Sequence, residues 1–417
     1  MAITPPFLED QAARAKVASR RLATSSADAR NEALLVAADL LERESDAVLR
    51  ANAGDVASAE ADGADATSLD RLRLTAGRVA GMAEGLRALA ALPDPVGEVT
   101  EGWTRPNGLK VERVRVPLGV VGIIYENRPN VTSDAGGLCL KSGNAALLRG
   151  SHSAHASNAA VCLRLRAGLA KAGLPEDAVC LVADTSHDAA VAFMQLDEYL
   201  DCLIPRGGPS LLDTVRANAT VPTVVDGAGN CHVYVDSAAD LGMAESIVAN
   251  AKLSRPGVCN AAESVLVHAA VASSFLPRMR SALPGVRLLG DEAARKVLPD
   301  VEPATPDDFA TEFLGLTMTV AVVDGLEAAI DHITRFGSGH SEAIVTGDLA
   351  AARRFVDEVD AAAVLVNAST RFVDGEQLGL GAEIGISTQK LHARGPMGLR
   401  DLTSVKFVVT GSGQVRT

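Results

Sequence analysis

Two doubly wound α/β lobes with mainly parallel sheets, plus a small separate sheet, are the fold this sequence predicts, and three observations predict it. Short apolar runs alternate with Ala-rich helical stretches from residue 120 onward, the pattern of parallel strands joined by crossover helices. The alternation starts afresh near Cys231, so the 417 residues hold two sets of nucleotide-fold size. Residues 110–116 and 405–410 carry strand-like alternation far apart in the chain and can pair outside either set.

The elements follow in order. Residues 7–92 are rich in Ala, Leu, Arg, Asp and Glu with apolar positions near helical spacing, as in 31–49, which predicts a helical lead-in. Apolar runs at 120–125, 145–148, 179–182, 200–204 and 223–225 are the expected strands of the first lobe. Between them the helical stretch 153–172 ends in Gly173-Leu174-Pro175, punctuation that stops a helix and feeds the next strand. After the strand near Cys231, the second lobe is expected to place strands at 261–267, 318–323, 343–345 and 364–366. No segment repeats internally.

Composition narrows the function. A chain with 47% hydrophobic and 22% charged residues can bury a large core. A net charge of −13 argues against nucleic-acid or anionic-membrane binding, because phosphate backbones demand clustered Lys and Arg. No apolar run approaches the roughly 18 residues of a membrane span, and Met-Ala-Ile-Thr-Pro-Pro lacks the features of a signal peptide, so a cytoplasmic protein is expected. The six cysteines, at 139, 162, 180, 202, 231 and 259, show no CxxC spacing, which predicts reduced thiols, no zinc and no other metal.

The motifs are weak one by one. Gly379-Leu380-Gly381-Ala382-Glu383-Ile384-Gly385 has its last glycine one residue late for a dinucleotide fingerprint, and Asp226-Gly227-Ala228-Gly229 lacks a third glycine. Arg206-Gly207-Gly208-Pro209-Ser210 can open a helix and offer backbone N–H groups to a cofactor, or be a plain turn. Five cysteines lie in or beside apolar runs, whereas Cys259 follows Ser254-Arg255-Pro256-Gly257-Val258 at a loop end near positive charge. Cys259 is either a nucleophile or a structural thiol. His332 and His340 are too far apart for a helical metal pair and read as core or capping residues.

Taken together, these residues resemble the aldehyde dehydrogenase superfamily along essentially the whole chain. The resemblance is carried by residues 116–132, with Tyr125-Glu126-Asn127-Arg128-Pro129-Asn130, by 254–264 around Cys259, and by 329–344, with Gly337-Ser338-Gly339-His340-Ser341-Glu342. Phe336 departs from the His or Tyr usual there. The resemblance points to the branch that reduces γ-glutamyl phosphate to glutamate 5-semialdehyde with NADPH in proline synthesis. It implies Cys259 as the thiolate that forms a thioester, and Asn127 as the oxyanion-hole amide. It further implies cofactor contacts from Arg149, Ser151, Gly207, Gly208 and Glu312. Lys252, Arg255, His332, His340 and Glu383 are the candidates for gripping the glutamyl group.

The same resemblance implies an aldehyde dehydrogenase-like fold. Residues 1–103, 119–229 and 364–384 would form the cofactor domain, 230–363 the catalytic domain, and 104–118 with 385–417 an oligomerisation flap. A homo-oligomer is expected, and the glutamate kinase that makes the labile acyl phosphate is a candidate partner. Oxidising relatives carry a glutamate that activates water, but the matching stretch here is Val224-Val225-Asp226-Gly227-Ala228, with Val225 at the base position and Asp226 read as structural. Two alternatives are an aldehyde-oxidising dehydrogenase, which the missing glutamate argues against, and an inactive binding paralogue, which Cys259 and Asn127 argue against.

Overall fold

A computed structural model describes residues 6–416; residues 1–5 of the Met-Ala-Ile-Thr-Pro-Pro start, on which the expectation of no signal peptide falls, and residue 417 lie outside the described residues. The chain divides into two units. The first takes in the described residues up to Val225, with 380–385 and 397–416, and the second 226–379 with 386–396.

The lead-in of the first unit is five helices, Pro6–Leu22, Ala27–Arg43, Ser45–Ala61, Ala66–Leu72 and Ala76–Ala91. Side-chain oxygens of Ser26, Asp65 and Thr75 accept the free N–H groups at three of the helix starts. Gly168 lets helix His155–Lys171 lie against Ala27–Arg43, because a Cβ there would overlap the Ala33 carbonyl. The four-stranded parallel sheet runs Val179–Leu181, Ala145–Arg149, Val120–Tyr125, Cys202–Arg206, with Ile123 opposite both Leu148 and Ile204. Its chain order reverses between Val120–Tyr125 and Cys202–Arg206, so the loops after those two strands flank a topological switch point. Of the strand expected at 223–225, only a single bridge from Thr223 to Leu203 forms.

A three-stranded antiparallel sheet, Val99–Thr104, Lys110–Pro117 and Thr403–Thr410, also belongs to the first unit. Lys110 pairs with Thr410 across some 300 residues of chain. Strand Val99–Thr104 carries no clear alternation and was not anticipated.

The second unit holds a seven-stranded parallel sheet in the order Glu302–Pro303, Arg287–Gly290, Thr317–Val323, Ala262–His268, Cys231–Val235, Ser341–Val345, Ala363–Val366. The strands of its centre are buried over nearly their whole length, as an apolar parallel sheet covered on both faces requires.

Three boundaries differ from expectation. Residues 364–379 belong to the second unit, because Ala363–Val366 pairs in parallel with Ser341–Val345. Residues 386–396 belong there too, since Asp226 Oδ1 accepts the Ile386 N–H at 2.8 Å and Gly227 N donates to Ile386 O at 3.1 Å. The second unit starts at 226 rather than 230 for the same reason. That bond also fixes Asp226 as structural. Among the described residues, no helix is long and apolar enough to cross a membrane, and no cluster of three or more His, Cys, Asp or Glu could hold a metal.

Candidate active site

In the first unit, strand Val120–Tyr125 delivers Asn127 to the loop at the switch point. Its φ of 31° lies in the left-handed region, which Asn tolerates better than most side chains. Two hydroxyls fix its amide. Ser151 Oγ donates to Asn127 Oδ1 at 3.0 Å and Ser153 Oγ donates to the same oxygen, while the Asn127 N–H donates to Ser151 Oγ at 3.2 Å. Asn127 Nδ2 makes no hydrogen bond among the described residues. Ser151, expected at the cofactor, is here a partner of Asn127. Ser153 gave no signal in the sequence.

Arg149 ends strand Ala145–Arg149, and its Nη2 donates to the Thr185 and Ser186 carbonyls at 2.7 and 2.9 Å. Its Nε is buried without a partner. Gly207 and Gly208 open helix Pro209–Asn218 as expected, and the Gly208 N–H donates to the exposed carboxylate of Glu126 at 2.9 Å. A Cβ on Gly207 would crowd that carboxylate and Leu211. These groups fit a dinucleotide. A glycine-opened helix start, a basic side chain with an unpartnered N–H and the carboxyl ends of parallel strands are what its phosphates and ribose require.

In the second unit, Cys259 lies half-buried in the loop before strand Ala262–His268. Its carbonyl is held from two sides. Cys231 Sγ donates to it at 3.1 Å, and Gly229 packs so closely that any Cβ would overlap it. Of the glycines in Asp226-Gly227-Ala228-Gly229, Gly229 serves the thiol loop, while Gly227 packs against Thr388. Gly229 N donates to Glu312 Oε1 at 2.8 Å, and burial raises the Glu312 carboxyl above its ordinary value. Burial pushes the other thiols up, to about 12 for Cys162 and Cys202 and about 11 for Cys180, with Cys139 and Cys231 higher still. All five are buried, and among the described residues Cys231 alone of them hydrogen-bonds to the Cys259 loop.

Two expected substrate contacts are withdrawn by burial. Lys252 is 0% exposed and ion-paired at 2.5 Å with Glu263, whose other oxygen accepts the Leu314 N–H and so fixes the loop beside Glu312. His340 is also 0% exposed, its Nδ1 2.7 Å from Ser341 Oγ and 3.7 Å from Cys231 Sγ. Burial lowers it to about 4, so it is neutral. His332 sits in an aromatic cluster with Phe309, Phe336 and His232 at ring distances of 5.0, 4.7 and 5.6 Å, and burial lowers it to about 3. Phe336 completes that cluster. Arg255 is exposed on the Cys259 loop, and Glu383 is half-buried in the first unit. A residue the sequence did not single out, Arg371, bonds to both Ser254 and Asn260 on either side of Cys259.

The fold and the thiol loop define a class. The family model described as "Aldehyde dehydrogenase family" matches residues 4–299, and the chain belongs to that family. Its relatives are more particular. The gamma-glutamyl phosphate reductase of Moorella thermoacetica is 56% identical over 97% of each chain, and that of Syntrophomonas wolfei 53% over 98% of each. The crystal structure of gamma-glutamyl phosphate reductase from Thermotoga maritima matches with a TM-score of 0.96 at 46% identity, over 98% of this chain and 100% of that one.

Proposed function

We propose that this chain reduces γ-glutamyl phosphate to glutamate 5-semialdehyde with NADPH, releasing phosphate, as a step of proline biosynthesis. The observation that carries the reading is Cys259, half-exposed on a loop that Gly229, Cys231 and Arg371 hold, in a chain so close to a named gamma-glutamyl phosphate reductase.

Cys259 Sγ attacks the acyl carbon, a C–S bond forms and the carbonyl oxygen becomes anionic. The Nδ2–H of Asn127, turned outward by Ser151 and Ser153, is the donor for that charge; such a donor is worth typically about 3 kcal/mol. The C–O bond to the phosphoryl group then breaks, and phosphate leaves with the electron pair. NADPH, when bound, supplies the hydride that reduces the resulting thioester carbon. The C–S bond breaks as the carbonyl re-forms, and Cys259 departs as the thiolate. Arg149, Gly207 and Gly208 hold the dinucleotide, and Glu312 its nicotinamide-side ribose. Arg149 at the carboxyl end of its strand favours a 2′-phosphate, hence NADP over NAD. With Val225 at the base position, nothing there deprotonates water against the thioester.

The chain acts in the cytoplasm as a homo-oligomer, assembled through the sheet of Val99–Thr104, Lys110–Pro117 and Thr403–Thr410. Its substrate is an unstable mixed anhydride, which favours direct transfer from the kinase that makes it. The test is the reverse reaction. Semialdehyde oxidation should require phosphate or arsenate, stop after one equivalent of NADPH per site without them, vanish in Cys259→Ser, and show the higher kcat/KM with NADP+ than with NAD+. Sustained oxidation without phosphate would make the chain an aldehyde-oxidising dehydrogenase instead.

A further inference from the structure

The loop that carries Cys259 is strapped by a side chain from more than a hundred residues further on. Arg371 Nε donates to Ser254 Oγ at 3.2 Å and its Nη1 donates to Asn260 Oδ1, so one guanidinium spans the loop from before Arg255 to after Cys259. The backbone beneath it is held as well. Ser369 Oγ accepts the Arg371 N–H, and Asn260 Nδ2 donates to the Val373 carbonyl at 2.9 Å. Arg371 is therefore a fixed charge rather than a wandering surface side chain.

That charge has no ion-pair partner among the described residues. Among the described residues, neither Arg255 nor Arg371 forms an ion pair, although most arginines here do, from Arg14 to Arg400. Burial works hardest against the charge of Arg371, followed by its like-charged neighbour Arg255, while Asp374 and Cys259 lie near enough to favour it. An arginine does not escape such a position by losing its proton. Two neighbouring guanidiniums, neither of them ion-paired among the described residues, in a protein of net charge −13, suit an anion.

We propose that Arg371 and Arg255 hold the phosphoryl group of the acyl phosphate, and hold inorganic phosphate when the reaction runs backwards. The inference rests on the reductase reading above. The phosphoryl oxygen is bonded to the very carbon that Cys259 attacks, whereas the glutamyl α-carboxylate is at the far end of the carbon chain. A clamp on the Cys259 loop itself therefore meets the phosphoryl group. Two guanidiniums also match a dianion better than a carboxylate, and their planar forks bind phosphate oxygens in pairs. As the C–O bond breaks and its electron pair moves onto the departing oxygen, the added charge falls on a group already facing two cations.

The test measures reverse kinetics of Arg371→Lys and Arg255→Ala, with thermal melting to confirm folding. Expected is a rise of about tenfold or more in KM for phosphate in each variant, with KM for semialdehyde and for NADP+ within about twofold of the parent. Arg255→Ala stands alone if Arg371→Lys does not fold, because Arg255 is exposed and anchors nothing. A KM for semialdehyde that rises while that for phosphate stays put would assign the pair to the α-carboxylate and overturn the proposal. So would an unchanged KM for phosphate in both. Oxidation that never depended on phosphate in the parent protein would instead sink the reductase reading.

Discussion

An amide that is to donate toward a developing oxyanion must keep its own oxygen turned away, since the two ends of an Asn side chain are nearly the same shape. Ser151 and Ser153 meet that need by placing both hydroxyl protons on Asn127 Oδ1. Ser153→Ala removes one of them. We expect kcat to fall about tenfold with KM for NADPH unchanged, Ser153→Thr to restore it, and Ser153→Ala to cost nothing further once Asn127 is Ala. Activity of Ser153→Ala within twofold of the parent, beside a strongly impaired Asn127→Ala, would mean the amide is aimed by the backbone alone. Both side chains proposed as catalytic, Cys259 and Asn127, stand out in the sequence because each sits in a run of chemically distinctive neighbours. Their supports were not, since Ser153, Cys231 and Arg371 are ordinary residue types that matter only through what they touch.

At the scale of elements, the thiol loop occupies the amino edge of the second sheet, before Ala262–His268, and the starts of Cys231–Val235 and Ser341–Val345 build the floor beneath it. Ligands of open parallel sheets usually lie at the carboxyl edge, the opposite end from the thiol loop, so the strand pattern alone does not point to Cys259. That floor is sensitive to acid. His340, leading into Ser341–Val345, has its folded pKa lowered from the ordinary value near 6.5 to about 4, so its contribution is present above pH 6.5 and is lost as pH falls toward 4, when only the unfolded chain takes up the proton. Between pH 7.5 and 5 it should cost on the order of 2 kcal/mol. Urea unfolding at the two pH values checks this: His340→Asn should flatten the pH dependence by about that amount, and an identical pH slope in parent and variant would refute it.

For the molecule as a whole, the open question is assembly. Among the described residues, the three-stranded sheet leaves the outer edges of Val99–Thr104 and Thr403–Thr410 unpaired, and it exposes Val99, Trp103, Phe407 and Val409, with the Trp103 and Phe407 rings edge to face at 6.3 Å. Unpaired edges with exposed aromatic residues invite a second copy. Phe407→Asp should shift the protein to a smaller species in analytical ultracentrifugation while its thermal melting at low concentration stays within a few degrees. A wild-type protein that sediments as a monomer at micromolar concentration would remove the oligomer from the account.

What the sequence determined by itself is whatever depends on period and on near neighbours in the chain: the helical lead-in, most of the parallel strands of both lobes, the strand character of 110–116 and 405–410, and the contexts of Cys259 and Asn127. Hydrophobic period and turn residues are local quantities, so they survive the absence of a structure. Tertiary structure alone decided that Ala363–Val366 adds to the second sheet, that Lys252 and His340 turn inward, and that Arg371 reaches back to the thiol loop. Each of these is set by contacts between residues far apart in sequence. Whether a lysine ends up paired inside the protein or facing a ligand depends on whether a Glu263 is folded against it, and no periodicity records that.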